Sequence, residues 1–155
     1  MREIKFRAWN NREKVMSLLR GFDFLIKQAI INCPNEKSKT AISSWDYKDK
    51  EIKLMQFTGL QDKNGVDIYE GDIIKGIHSG EFVNGRYRDR NGNINTDIAK
   101  GIITFRRGAF HIKYESNEST IYIPIVVLIE RFSEVIGNIY ENPELLEVGE
   151  YWFCK

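Results

Sequence analysis

Glu70-Gly71-Asp72 places two carboxylates on either side of one glycine, the arrangement in this chain closest to a reactive pair. Such a pair can hold a hard cation or act as an acid–base couple. One glycine between two acids lacks the ligand number of a calcium loop, however. The simpler reading is a tight strand corner in which Asp72 accepts backbone N–H bonds and Glu70 is solvated. His78 and His111 are the only histidines, and with Cys33, Cys154 or Asp72 they supply metal-ligating atoms. No spacing joins them into a zinc or redox motif. His111 alternates with Phe110 and Ile112 and is expected to face outward. Ser43, Ser44, Ser79 and Ser116 sit in no nucleophile elbow. Thr58-Gly59 is not followed by the Gly-Lys-Ser/Thr of a phosphate loop. The expectation is a protein with no catalytic set, no cofactor and no metal, which is to say not an enzyme.

Arg86, Arg88 and Arg90 alternate with Tyr87 and Asp89, and Arg106-Arg107 stands before Gly108. Basic and aromatic residues on loops can stack on bases and track phosphates. The simpler reading is a solvated loop whose charge serves solubility, diluted by Asp89 and Asp97. Nucleic-acid contact is therefore a possible but not favoured use of Arg86, Tyr87, Arg88, Arg90, Arg106 and Arg107. Tyr151-Trp152-Phe153 is an aromatic run near the C-terminus, and ends this apolar usually dock on something. Both the chain's own fold and a partner subunit are candidates, which makes these three residues candidates for self-association. Trp9 and Trp45 read as core or interface residues rather than ligand platforms.

Short strands must position these groups. Ile4, Phe6 and Ala8 alternate with Lys5, Arg7 and Trp9, and Asn10-Asn11 is a turn signal before Val15 to Leu19. Phe22, Phe24 and Ile26 alternate again. Ala41 to Tyr47 and Glu51 to Phe57 flank Lys48-Asp49-Lys50 and read as a further hairpin. Lys63-Asn64-Gly65 is a strong turn signal, with Asp62 placed to cap its backbone. Ile68 to Ile74 follows, and Gly71 within it suggests a bulge or a close backbone approach. Asn84 to Thr96, with its two Asn-Gly pairs, reads as a long exposed loop, with a ragged hairpin as the alternative. Ile98 to Phe105 and Ala109 to Glu115 form a hairpin around Arg107-Gly108. Thr120 to Val127 is a strand kept from a central position at Pro124. Val127 to Phe132 is a short-helix candidate and Ser133 to Tyr140 a final strand. Asn142-Pro143-Glu144-Leu145-Leu146 reads as one helical turn, with Asn142 as cap and Pro143 in the first position. Strands this short and this closely punctuated imply a mainly β fold. A small SH3-like barrel in the C-terminal half, with a β-hairpin region packed on it, fits the order of elements. The expected division is residues 1 to 57 and 58 to 155.

Composition narrows the class. The chain has 155 residues, 42% hydrophobic and 29% charged, which is the balance of a globular domain. A net charge of +1 argues against a general polyanion binder. The charge is uneven: residues 1 to 55 hold 12 Lys or Arg against 7 Asp or Glu, and residues 56 to 155 hold 11 against 15. A basic front and an acidic back can attract each other between subunits, although chance is the simpler source. Met1 to Asn10 is charged throughout and unlike a signal peptide. The most apolar run, Ile121 to Ile129, contains Pro124 and is too short to span a bilayer. A cytoplasmic protein with no membrane partner is expected.

Three separated segments resemble one family in order: Ile4-Lys5-Phe6-Arg7-Ala8-Trp9 with Met16, the stretch from Met55 to Ile74, and Glu134-Val135-Ile136-Gly137-Asn138-Ile139-Tyr140-Glu141-Asn142-Pro143-Glu144-Leu145-Leu146. Together they look like the YopX-like family of phage and prophage proteins. Asn84 to Thr96 and Glu147 to Lys155 depart from it. The resemblance implies an SH3-type barrel in the C-terminal half and a phage or prophage origin, within a bacterial host cell. It implies no activity, catalytic residue or cofactor. Asp62, Asn64, Gly65, Gly71, Asp72 and Pro143 read as structural. The functional expectation is a non-enzymatic interaction protein that forms homo-oligomers, with a nucleic-acid-binding module as the alternative and an uncharacterised enzyme as the residue.

Overall fold

A computed structural model of the chain describes residues 3–32, 42–46, 51–76, 81–83, 86–88, 99–115, 120–125 and 133–146. The chain divides into two compact units, Met1–Gly59 and Leu60–Lys155. The described residues are overwhelmingly strand, as the alternating patterns and turn signals require.

The first unit is built on β1 (Phe6–Asn10), β2 (Val15–Asp23), β3 (Gln28–Asn32), β4 (Ile42–Asp46) and β5 (Ile52–Gln61). The strand order is β4-β3-β2-β1-β5, continued by β6 (Asp67–Tyr69) beside the end of β5. Every register given for this sheet is antiparallel, with Ala8 opposite Ser17 in β2 and Leu54 in β5. Ala8, Ile31, Trp45 and Ile52 form the buried centre, packed by Val15, Leu19 and Leu54. Trp9 and Trp45 are both buried. Asn10 starts the β1–β2 turn: its Oδ1 accepts the N–H groups of Arg12 and Glu13 at 3.0 and 3.1 Å.

Two expectations are corrected here. Residues 42–46 and 52–61 are strands, but they do not form a hairpin with each other. β4 pairs with β3, and β5 pairs with β1. β1 offers β5 a central edge, and the Asn11 amide fixes the pairing by donating to the Glu51 carbonyl at 2.8 Å. The alternation through Phe24 and Ile26 is likewise not strand. β2 stops at Asp23, and residues 24–27 form a turn.

The second unit holds a five-stranded antiparallel sheet of order β12-β11-β10-β7-β13. Its strands are β7 (Asp72–Gly76), β10 (Ala99–Arg106), β11 (Ala109–Glu115), β12 (Thr120–Pro124) and β13 (Glu134–Asn138). Ile68, Ile74, Ile103, Ile112 and Tyr114 form its core, with Leu60, Phe110, Ile123, Ile125 and Val135 against it. A separate two-stranded sheet joins β8 (Glu81–Val83) to β9 (Arg86–Arg88). One turn of 3-10 helix, Pro143–Leu146, follows β13. The mainly β class is therefore correct, but the expected SH3-like closure is not: among the described residues the sheet is open, with β12 and β13 at its edges. Pro124 removes a backbone donor at the end of β12, and a register shift between Val135 and Gly137 bends β13, so both edges resist further pairing. The helix expected over residues 127–132 lies outside the described residues.

Candidate interaction surface

Asp62 organises the turn between β5 and β6. Its Oδ1 accepts the Asn64 and Val66 amides at 2.8 and 2.9 Å. Its Oδ2 accepts the amide of Val135, far along the chain, at 2.9 Å. The side chain is 4% exposed. Burial by itself would raise the carboxyl pKa, but the amides of Val135, Val66 and Asn64 outweigh it and hold Asp62 below the usual aspartate range. Gly65, at φ 78°, closes the turn by donating to the Asp62 carbonyl at 2.9 Å. A side chain there would strain the left-handed conformation.

Lys63 strengthens the same long-range tie. Its amide donates to the Ser133 carbonyl at 3.1 Å, and its Nζ lies 2.7 Å from Glu134 Oε2. Asp72, 1% exposed, accepts the Tyr69 amide at 2.7 Å and so folds the Glu70-Gly71 corner. Gly71, at φ 81°, donates to the Ile103 carbonyl at 2.8 Å and accepts from the Ile139 amide at 2.9 Å. It is a close backbone approach on both sides. β7 then pairs with β13, Asp72 opposite Asn138 and Lys75 opposite Glu134. Asn138 Oδ1 caps the next turn by accepting the Tyr140 and Glu141 amides at 3.0 and 2.9 Å. Pro143 opens the 3-10 turn as expected, whereas the Asn142 side chain accepts the Asn138 amide at 3.4 Å. The stretches around 62–72 and 133–142 thus form one hydrogen-bonded knot within the second unit. Its two buried carboxylates, Asp62 and Asp72, accept backbone amides.

The sequence-derived cationic residues fall in two places. Arg86, Tyr87 and Arg88, within the stretch expected as a loop, instead form β9, paired in a short hairpin with Tyr87 opposite Phe82 in β8. Arg106 and Arg107 sit at the β10–β11 tip, where Arg107 has φ 52°. No strand pairing among the described residues joins these two sheets. The Arg106 guanidinium lies 4.5 Å from the centre of the Tyr122 ring. Arg90 and the run Tyr151, Trp152 and Phe153 lie outside the described residues, as do His78, Cys33 and Cys154. His111 is half-buried, its Nδ1 3.1 Å from the Ala109 carbonyl. Among the described residues no three His, Cys, Asp or Glu side chains gather as a metal site, and no helix is long and apolar enough to cross a membrane.

Among the described residues, the most exposed apolar feature is one that the sequence pattern concealed. Asp23 Oδ1 accepts the amides of Leu25 and Ile26 at 3.0 and 3.1 Å, and Lys27 takes φ 61°. This fixes the β2–β3 turn and leaves Phe24, Leu25 and Ile26 77%, 92% and 62% exposed. Phe24 stacks on Phe22 at 5.9 Å between ring centres, and Phe22 meets Phe6 edge-on at 5.4 Å. A register shift between Leu19 and Gly21 sets Phe22 opposite Ala29, extending this aromatic file from the sheet to the tip. Leu25 interrupts the alternation, and Asp23 is the kind of residue whose side chain bonds the backbone two residues on and so starts such a turn.

Two large antiparallel sheets and a two-stranded one, with a carboxylate knot bonded to backbone amides and an exposed apolar turn, define a mainly β protein. The family model described as "YopX protein" matches residues 5–147, and the chain belongs to the YopX family. It is similar over 95% of its length to the whole chain of protein EF1440 from Enterococcus faecalis, at 28% identity and a TM-score of 0.58. It also shares its fold with YopX from Bacillus subtilis, at 19% identity and a TM-score of 0.52, again over 95% of this chain and 100% of the other. No curated protein matches.

Proposed function

We propose that this chain is a non-enzymatic interaction protein that self-associates through the β2–β3 tip. The observation that carries this reading is the set of Phe24, Leu25 and Ile26 side chains, exposed on a turn locked by Asp23. Scattered exposed hydrophobics need no explanation, but a contiguous apolar group on an ordered turn fits an interaction site. Burying one such side chain is worth about 1.5–3 kcal/mol, so one tip supplies roughly 5–9 kcal/mol. Association itself costs about 4–15 kcal/mol. A single tip is therefore marginal, whereas an isologous dimer buries two tips and doubles the gain.

The absence of enzymatic activity in this proposal is supported by the use of Asp62 and Asp72 as acceptors for backbone amides. A phage or prophage origin, implied by the family resemblance, belongs to the same proposal. Multi-angle light scattering across micromolar concentrations tests it. The expected result is a mass that rises with concentration toward two chains. A mass of one chain throughout, with no partner recovered by pull-down from the host cell, contradicts it.

A further inference from the structure

The five-stranded sheet has two chemically different faces. Ile74, Ile103, Ile112 and Tyr114 point into the core. The alternate positions carry Lys75 in β7, Lys100, Thr104 and Arg106 in β10, His111 and Lys113 in β11, and Thr120 and Tyr122 in β12, set around the paired, buried Ile73 and half-buried Ile102. Register puts Lys75 beside Lys100, and Lys113 between Ile102 and Tyr122. The cations therefore span the three adjacent strands β7, β10 and β11, each step about 5 Å across the sheet, and β12 adds Tyr122 beside Lys113.

This sorting of charge runs against the unit as a whole. Residues 56 to 155 hold 15 acidic residues against 11 basic ones, yet among the charged outward positions of β7, β10 and β11 Lys75, Lys100, Arg106 and Lys113 stand against Glu115 alone. Two acidic positions share the face. Glu134, opposite Lys75, is already paired with Lys63 at 2.7 Å, and Glu115 lies at the far end of β11 opposite Thr120. Lys100 Nζ reaches the Leu145 carbonyl at 3.4 Å, which holds its head group near the sheet.

Arg106 makes the face more than a charged strip. Its guanidinium lies 4.5 Å from the centre of the half-buried Tyr122 ring, so a planar cation is held against the sheet. Guanidinium planes and aromatic rings stack on unpaired bases, and flat β faces present such platforms. A duplex hides its base faces inside the stack and cannot use one.

We propose that this face is a track for single-stranded nucleic acid, with Arg106 stacking on a base and Lys75, Lys100 and Lys113 lying along the phosphates. Tyr122 is a positioning residue that orients the guanidinium. Arg107, exposed at the tip, adds charge at the end of the track.

Fluorescence anisotropy of the full chain with labelled oligothymidine tests this. Binding is expected to weaken with salt along a log–log slope of about −2 to −3, since each neutralised phosphate of a single strand contributes about −0.7. Lys113→Ala should make the slope shallower by about 0.7. Arg106→Lys keeps the charge and loses the plane, so it should weaken binding about tenfold with the slope unchanged. Tyr122→Phe should bind as the wild type does, while Tyr122→Ala should resemble Arg106→Lys. The proposal is overturned if the wild-type chain fails to bind at low salt, or if Arg106→Lys and Lys113→Ala both bind unchanged. It is equally overturned if a duplex, or polyglutamate as competitor, binds as tightly as the single strand.

Discussion

Asp62 and Asp23 use the same local device for opposite ends. Each begins a turn, and each lends one carboxylate oxygen to two amides shortly downstream, Asn64 and Val66 in one case, Leu25 and Ile26 in the other. Asp62 is buried, and its second oxygen reaches the Val135 amide. Asp23 is half-buried, and its turn lifts Phe24, Leu25 and Ile26 into solvent. The first turn closes a long chain loop. The second displays side chains. The difference shows that a turn motif by itself does not assign a role: the fate of the second oxygen and of the residues enclosed by the turn decides it.

The comparison breaks most visibly at Asp62. Asp62→Ala leaves three amides without their acceptor, and charge-assisted bonds of this kind are worth about 1.5–3 kcal/mol each. Partial rescue of the turn amides by water reduces the total, so a loss of about 4 kcal/mol is expected in urea denaturation. A loss below about 1 kcal/mol would reduce Asp62 to the status of Asp23. Gly101→Val tests the same unit without touching the knot. A Cβ there collides with the Ile112 side chain and comes within 3.0 Å of Tyr114, both in the core. Overpacking of this kind should cost about 2 kcal/mol.

Acid titration sharpens the contrast. The folded pKa of Asp62 is lowered, so its contribution is complete above the pKa of the unfolded chain and is lost as pH falls through the folded value. Wild-type stability should therefore decline below about pH 4, and Asp62→Asn should flatten that decline while starting from a less stable fold. An equally steep decline in Asp62→Asn would remove the charge from the explanation. Asp23→Ala should cost only about 1 kcal/mol, since two local bonds at a half-buried turn are lost and water replaces them.

Much of this contrast was legible in the residues, and the part that was not has a local cause. The Asn-Gly turn, the corner at Gly71, the strands of the second unit and the helical turn at Pro143 follow from backbone chemistry within a few residues. The Asp62–Val135 bond was hidden because its partners are remote and backbone amides carry no side-chain signature. The same holds for β4 and β5, whose true partners β3 and β1 had to be chosen among several equivalent edges. At the tip, alternation through Phe22, Phe24 and Ile26 resembled a strand, because apolar residues at a turn mimic a buried face when their exposure is invisible. Arg106 drew notice as a charge, but its seat on Tyr122 depended on the β11–β12 register.

Leu25→Glu gives the most direct test of the claim that one aspartate turn anchors and the other displays. Leu25 is 92% exposed, so its replacement should change stability by less than about 0.5 kcal/mol. Light scattering of this variant beside the wild type, at matched micromolar concentration and with both shown to be folded, is the deciding measurement. The account predicts a single-chain mass for Leu25→Glu and a larger, concentration-dependent mass for the wild type. Equal masses for the two proteins would contradict it.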